Sequence, residues 1–195
     1  MKHRIITIGR EFGSGGRTIG RIVAEKLGIP CYDQELIEKM AEESGFTPEY
    51  VEKQSEDATL SSWAATALAM DHTYAVPSNQ DQLWSIQSRI IQEIADKESC
   101  VIVGRCADVI LEESADLLKV FIHADFDARA RRIVEKYGET EVPTEKRLRE
   151  KDKRRAMYYQ FYTDRKWGAI ENYHVILDSS ALGLDKCAEI IASLY

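Results

Sequence analysis

No stretch of this 195-residue chain approaches the roughly 20 consecutive apolar residues that cross a bilayer, so no membrane partner is expected. The first residues, Met-Lys-His-Arg, lack the small-residue cleavage site of a signal peptide, and a cytoplasmic location is the expectation. Cysteine is scarce and unpatterned. Cys31, Cys100, Cys106 and Cys187 form no C-x-x-C pair and sit in or beside apolar segments, which points to reduced, partly buried thiols. His3, His72, His123 and His174 are scattered without metal-ligand spacing. Positive charge is not in excess: the net charge of −7 speaks against a nucleic-acid partner. There is no internal repeat and no low-complexity tract.

What is present is a globular composition, 44% apolar and 30% charged, in a chain long enough for one domain with a full core. The charge is uneven. Between residues 129 and 166 stand thirteen Lys and Arg against seven Asp and Glu, so half of the basic residues occupy about a fifth of the chain. Two readings fit: a solvated helix laced with i,i+4 ion pairs, or an arginine-rich surface facing a polyanion such as a triphosphate.

Apolar β-branched runs alternate with helical patterns. Residues 5–8, Ile-Ile-Thr-Ile, read as a first strand. Residues 16–27 read as a helix with Ile19, Ile22, Val23 and Leu27 on one face, closed by Gly28-Ile29-Pro30. A short second strand over 30–32 ends at Asp33, and a helix over 34–43 follows. Thr47 is expected to cap a helix that starts at Pro48. Beyond it come a small-residue helix over 61–70, a loop over 76–79, and a helix over 82–97. Residues 100–103 form a fully apolar third strand and 117–122 a fourth. A helix over 126–137 stops at Gly138, and Thr144 is expected to cap a long basic helix after Pro143. A fifth strand over 173–177 and a helix over 184–194 close the chain. Strands that are apolar throughout and alternate with helices imply an α/β three-layer sandwich, a five-stranded parallel sheet covered on both faces.

The segment joining the first strand to the first helix is Gly9-Arg-Glu-Phe-Gly-Ser-Gly-Gly-Arg-Thr18. Glycines let a backbone adopt positive φ and approach a ligand closely. Successive N–H groups at a helix start can then surround phosphate oxygens. The dinucleotide fingerprint fails, since its third glycine falls on Thr18. The pattern G-x-x-x-x-G-K-[ST] is met imperfectly. If Gly16 ends it, Arg17 takes the lysine slot, Thr18 the hydroxyl slot, and Glu11 the opening glycine's place. A gap-free register ends it at Gly15 and puts Gly16 in the lysine slot. Either way the loop has no lysine. Gly13, Ser14, Gly15, Gly16, Arg17 and Thr18 are the candidate phosphate-binding residues.

Three stretches carry a more specific signal. Ile-Thr-Ile-Gly-Arg-Glu-Phe-Gly-Ser-Gly-Gly-Arg, Val-Ile-Val-Gly-Arg-Cys-Ala-Asp, and Arg-Ala-Arg-Arg-Ile resemble the cytidylate kinase-like family, nucleoside monophosphate kinases of the P-loop class. The resemblance covers nearly the whole chain and is weakest over 44–79. It implies one P-loop kinase domain with a helical cap or acceptor-binding insertion over 44–80 and a basic helical lid over 138–168. It carries Asp33 over to the acceptor side, without the small residues that follow it in the family. Gly104-Arg105-Cys106 stands where the family has Gly-Arg-Asp; Arg105 is the candidate acceptor-phosphate ligand, and Asp108 lies a helical turn from the lost aspartate. The family's basic lid pattern, Asp-x-x-Arg, is read onto Glu150-Lys-Asp152-Lys-Arg154, which makes Asp152 and Arg154 candidates. Arg129 and Arg132 match arginines on the helix after the fourth strand. Asp178-Ser179-Ser180 resembles a closing motif near the donor base.

The implied reaction is transfer of the γ-phosphoryl group of ATP to an acceptor phosphate, with Mg²⁺ held through Thr18 or a water. In that scheme Arg17, Arg105 and Arg154 are the catalytic arginines. Local alternatives stand beside it. Asp33 could instead cap the helix that starts at Gln34, and Arg105 could pair with Asp108. Arg129, Arg131 and Arg132 cannot all face one ligand, because i and i+2 point apart on a helix. Tyr158, Tyr159, Phe161, Tyr162 and Trp167 could stack a base, pack the long helix onto the domain, or form a homodimer contact. The missing lysine and aspartate keep two other outcomes open: a non-catalytic nucleotide-binding or regulatory protein, and a kinase for a different small acceptor.

Overall fold

The computed structural model describes residues 3–54, 78–113 and 115–195. The helix expected over 61–70 and much of the cap expected over 44–80 lie outside them. Five parallel strands form one sheet in the order β2-β3-β1-β4-β5: β1 Arg4–Arg10, β2 Cys31–Tyr32, β3 Cys100–Val103, β4 Asp116–His123 and β5 Val175–Asp178. β1, with Ile5, Ile6, Thr7 and Ile8 all buried, is the central strand, paired on one side with β3 (Ile5 opposite Cys100) and on the other with β4 (Ile5 opposite Leu117). Burial on both faces is why its sequence shows no polar alternation.

Helices cover the two faces. On one, α2 (Gln34–Ser44), α3 (Pro48–Gln54) and α4 (Asn79–Lys97) bring Leu36, Ile37, Met40, Val51, Leu83, Ile90 and Ile91 against Ile5, Cys100 and Ile102. On the other, α1 (Gly16–Leu27) contributes Ile19 and Val23 to a core with Ile6, Ile8, Val120 and Ile122, joined there by Cys187 and Ile191 near the chain's end. The remaining helices among the described residues are α5 (Ala107–Ile110), α6 (Phe126–Tyr137), α7 (Thr144–Thr163), α8 (Ser179–Leu182) and α9 (Leu184–Ser193). A 3₁₀ turn spans Ile170–Asn172. All four cysteines are free thiols, three of them buried.

Three expectations about helix starts are met differently. Thr144 does not cap α7: it is the first helical residue, Pro143 occupies the cap position, and no side chain bonds there. The helix expected from residue 82 begins at Asn79, because Ser78 and Asp81 form a reciprocal capping box hidden behind the Pro77 loop signal. Asp33 sits at the cap position of α2 but makes no capping bond; its carboxylate turns to Arg17 instead. The cap expected at Thr47 is present, its hydroxyl accepting from the Tyr50 amide at 3.3 Å.

The strand order fixes where a ligand can enter. From β1 the chain leaves toward β2, and from β4 it leaves the opposite way toward β5. The loops after these adjacent strands therefore part, opening a crevice at their carboxyl ends.

Candidate active site

The glycine-rich loop fills that crevice. Gly13 and Gly15 adopt φ of 80° and 85°, values that side-chain-bearing residues rarely take. Close packing adds to this: a Cβ on Gly13 would lie 3.0 Å from the Arg129 carbonyl oxygen, and one on Gly15 would lie 2.5 Å from Leu184 Cδ2. The loop is also bolted to its surroundings. The Glu11 amide donates to the Ile122 carbonyl at 3.0 Å, and the Glu11 carboxylate accepts from the Ala124 amide at 3.1 Å. Burial raises the Glu11 pKa, and the Arg129 guanidinium opposes that rise. Asp152, on α7, accepts from the Phe12 amide at 2.7 Å and from Arg129 Nη1 at 2.5 Å. Arg129 also donates to the Phe12 carbonyl, and Arg132 donates to that of Gly13 at 2.7 Å. One carboxylate and two arginines thus tie α6 and α7 to the loop.

Above the loop lies a cavity of about 480 Å³. Its ionic lining is Arg10, Arg17, Arg132, Lys136, Arg147, Lys151 and Arg155 against Glu11, Glu52 and Glu135. Seven cations over three carboxylates give a local surplus of four positive charges in a chain of net charge −7. The field inside therefore favours an anion against the sign of the whole molecule. A second, smaller cavity below it is lined by Arg10, Arg105, Asp108 and Arg155 together with Tyr158, Tyr159 and Trp167.

Of the loop candidates, Gly13, Gly15, Gly16, Arg17 and Thr18 line the main cavity. Ser14 does not: it is fully buried, its amide and hydroxyl both donate to the Glu11 carbonyl, and its own carbonyl accepts from Ser179. Arg17 Nε lies 3.1 Å from the Asp33 carboxylate, and Arg17 Nη2 lies 3.7 Å from that of Glu52. Asp33 and Arg17 are thus brought together.

Arg105 is elsewhere, in the wall of the smaller cavity and 3% exposed. Its backbone is left-handed at φ 60°, as is that of Cys106, and buried Gln87 donates to its carbonyl at 2.9 Å. A non-glycine pair held in this region marks a turn whose side-chain direction the fold over-determines. Asp108 accepts from the Tyr159 hydroxyl at 2.7 Å, and burial raises its pKa.

On α7 the residue on the cavity wall is Arg155, not Arg154. Counting three from Asp152 also lands on Arg155. Arg147, Lys151 and Arg155 stand at i, i+4 and i+8, one stripe of the helix, and that spacing was the available signal. Arg10, the last residue of β1, and Lys136 on α6 are further cations of the wall that motif reading passes over.

The aromatic residues of α7 divide: Phe161 is exposed, while Tyr158, Tyr159 and Tyr162 pack inward. Tyr162 stacks on Trp84 at 4.2 Å between centroids, and Tyr158 and Tyr159 are buried. Asp178-Ser179-Ser180 braces the loop. Asp178 caps α8 through the Ser180 and Ala181 amides, and the Ser179 hydroxyl reaches Ser14.

The model of the cytidylate kinase-like family matches residues 5–181. The chain belongs to the cytidylate kinase-like family. It is 30% identical over 193 residues to a cytidylate kinase of Archaeoglobus fulgidus, covering 95% of this chain and 91% of that protein. A crystal structure of an uncharacterised protein from Eubacterium ventriosum superposes with a TM-score of 0.73 at 28% identity over 98% of both chains. Shikimate kinase from Acinetobacter baumannii, at 15% identity and a TM-score of 0.53 over 100% of this chain and 93% of that one, shares the fold. The fold is that of the P-loop kinases, and the family is one of phosphotransferases.

Proposed function

We propose that the protein transfers the γ-phosphoryl group of ATP to a nucleoside monophosphate, in the manner of a cytidylate kinase. The observation that carries this reading is the strand, glycine loop and helix opening at the crevice of the sheet onto a cavity with a surplus of four positive charges. In this reading the amides of Gly13 and Gly15 through Thr18 cradle the donor phosphates. Arg17 adds charge at the helix start, and Arg132 adds it from α6. Arg105 grips the acceptor phosphate from the smaller cavity, with Asp108 on its wall, and Asp33 acts on the acceptor through Arg17, with which it pairs. α7 is the lid, set by Asp152 through Arg129, and it presents Arg155 with Arg154 beside it.

The γ-phosphorus bond to the bridging oxygen breaks as an oxygen of the acceptor phosphate forms the new one, and ADP leaves with the electron pair. The protein's part is to align the two and to stabilise charge on the equatorial oxygens. Mg²⁺, when bound, would neutralise charge on the phosphate oxygens. In this reading Thr18, on the wall of the main cavity, would hold it directly or through a water. In this reading the activity is a cytoplasmic one.

The test is an ADP-release assay with ATP, Mg²⁺ and a panel of monophosphates, CMP first because the Archaeoglobus relative is named a cytidylate kinase. Turnover with one or more acceptors is expected. If none raises ADP release above background while ATP still binds, the protein is a nucleotide-binding protein without this activity, the outcome that the lysine-free loop favours. Arg17→Ala is expected to weaken ATP binding by about 1–3 kcal/mol through loss of a charged hydrogen bond. Unchanged affinity would confine Arg17 to its pairing with Asp33 and Glu52.

A further inference from the structure

The loop has no lysine, and the structure shows where a side chain at the lysine slot would go. In the gap-free register that slot is Gly16. A Cβ there would lie 2.6 Å from Arg10 Cβ and 2.9 Å from Arg10 Cγ. Real atoms do not approach so closely, so Gly16 is glycine because the stem of Arg10 crosses it. Arg10 is 5% exposed and lines both cavities, the one above the loop and the one walled by Arg105. It therefore stands between the donor loop and the acceptor side, where a transferring group passes. Arg17 faces Asp33 and Glu52, Arg132 holds the Gly13 carbonyl, and Arg155 donates to the Arg10 carbonyl at 3.2 Å.

We propose that Arg10 is the cation of this phosphate loop, delivered from the last residue of β1 instead of from the first turn of α1. The lysine of the usual motif reaches the β- and γ-phosphates as a point charge on a flexible stem. Arg10 offers a planar fork fixed by burial, able to bond two phosphate oxygens at once. The exchange is paired: an arginine at 10 requires glycine at 16, and a lysine at 16 requires a small residue at 10. The proposal rests on the reading of the cavity as a phosphate site and adds the residue that reads the terminal phosphates.

Three variants test it, with affinities for ATP and AMP by titration calorimetry and the fold checked by thermal unfolding. Arg10→Met keeps a stem over Gly16 and removes the charge. It is expected to lower ATP affinity about tenfold or more, the range of one charged hydrogen bond, with AMP affinity changed much less. Arg10→Lys is expected to retain part of the preference for ATP. The double variant Arg10→Ala with Gly16→Lys rebuilds the usual loop and is expected to recover ATP affinity relative to Arg10→Ala alone. Arg10→Met binding ATP within twofold of the wild type overturns the proposal. If Arg10→Met does not fold, the double variant decides: no recovery over Arg10→Ala, or no folded double variant, also overturns it. None of these readouts needs turnover. A wild-type chain that binds no ATP would end the phosphate reading of the cavity, whereas wild-type binding that survives Arg10→Met ends only the role of Arg10.

Discussion

At the scale of single residues, the glycines at the two ends of α1 separate two costs that sequence alone cannot tell apart. Gly28 ends α1 at φ 66° with nothing within 4 Å of an added Cβ. Gly28→Ala should therefore cost only the left-handed backbone penalty, about 1 kcal/mol. Gly16 shows the opposite combination: no positive φ, but a collision with Arg10. Gly16→Ala should cost about 1–3 kcal/mol through overpacking, even though alanine favours a helix. Urea unfolding of both variants measures this as midpoint shifts at unchanged slope. A stabilised Gly16→Ala would show that Arg10 moves freely. The glycine-rich loop was legible in the sequence because positive φ is a local property of the chain. The choice of Arg155 over Arg154 was not, since one residue turns a helix by about 100° and only docking fixes which face meets the cavity.

The element that docks is α7, and Asp152 sets its phase. Its carboxylate meets both the Phe12 amide and Arg129, whose side chain is 9% exposed. Removing it leaves a largely buried guanidinium facing the Glu11 carboxylate at 3.4 Å. Asp152→Ala should destabilise the protein by about 2–4 kcal/mol. A double-mutant cycle with Arg129→Ala should show a coupling of about 1 kcal/mol or more. Additive effects would mean that helix and loop are not coupled through this pair. Most other elements were legible because their signals are local: an apolar run of four over Cys100–Val103, a 3.6-residue period over Gly16–Leu27, and Gly138 after Tyr137. The short α5 and α8 were not, since each is a single turn held by tertiary bonds, from Gln87 at the turn before α5 and from Ser179 of α8 to the Ser14 carbonyl. The missed capping box at Ser78 shows a local signal masked by a neighbouring one, the proline before it.

At the scale of the whole molecule, charge placement makes stability depend on pH from both sides. Glu112 is held down to about 2, chiefly by hydrogen bonds from Arg165 and Lys119. Its contribution is present in full above 4.5, its usual value, and is lost as pH falls from there toward 2. The pair is about a third exposed, so the gain is about 1 kcal/mol or less, and Glu112→Gln should close its gap to the wild type as pH falls through that window. Asp108 acts in the opposite direction. Burial raises its pKa above 3.8 despite the Tyr159 hydrogen bond, so between those two values the folded state holds a proton that the unfolded state has released. Stability then falls as pH rises through that interval. Asp108→Asn keeps an acceptor for the Tyr159 hydroxyl and cannot ionise. It carries a constant cost for its buried amide nitrogen, yet its stability relative to the wild type should rise with pH above 3.8 until the folded carboxyl has ionised. Urea midpoints at half-unit steps from pH 3.5 to 8, on the order of ten measurements per protein, resolve a slope of this kind. Parallel curves for the two proteins would show that the carboxyl ionises in the fold as it does in water, and that its burial carries no proton linkage.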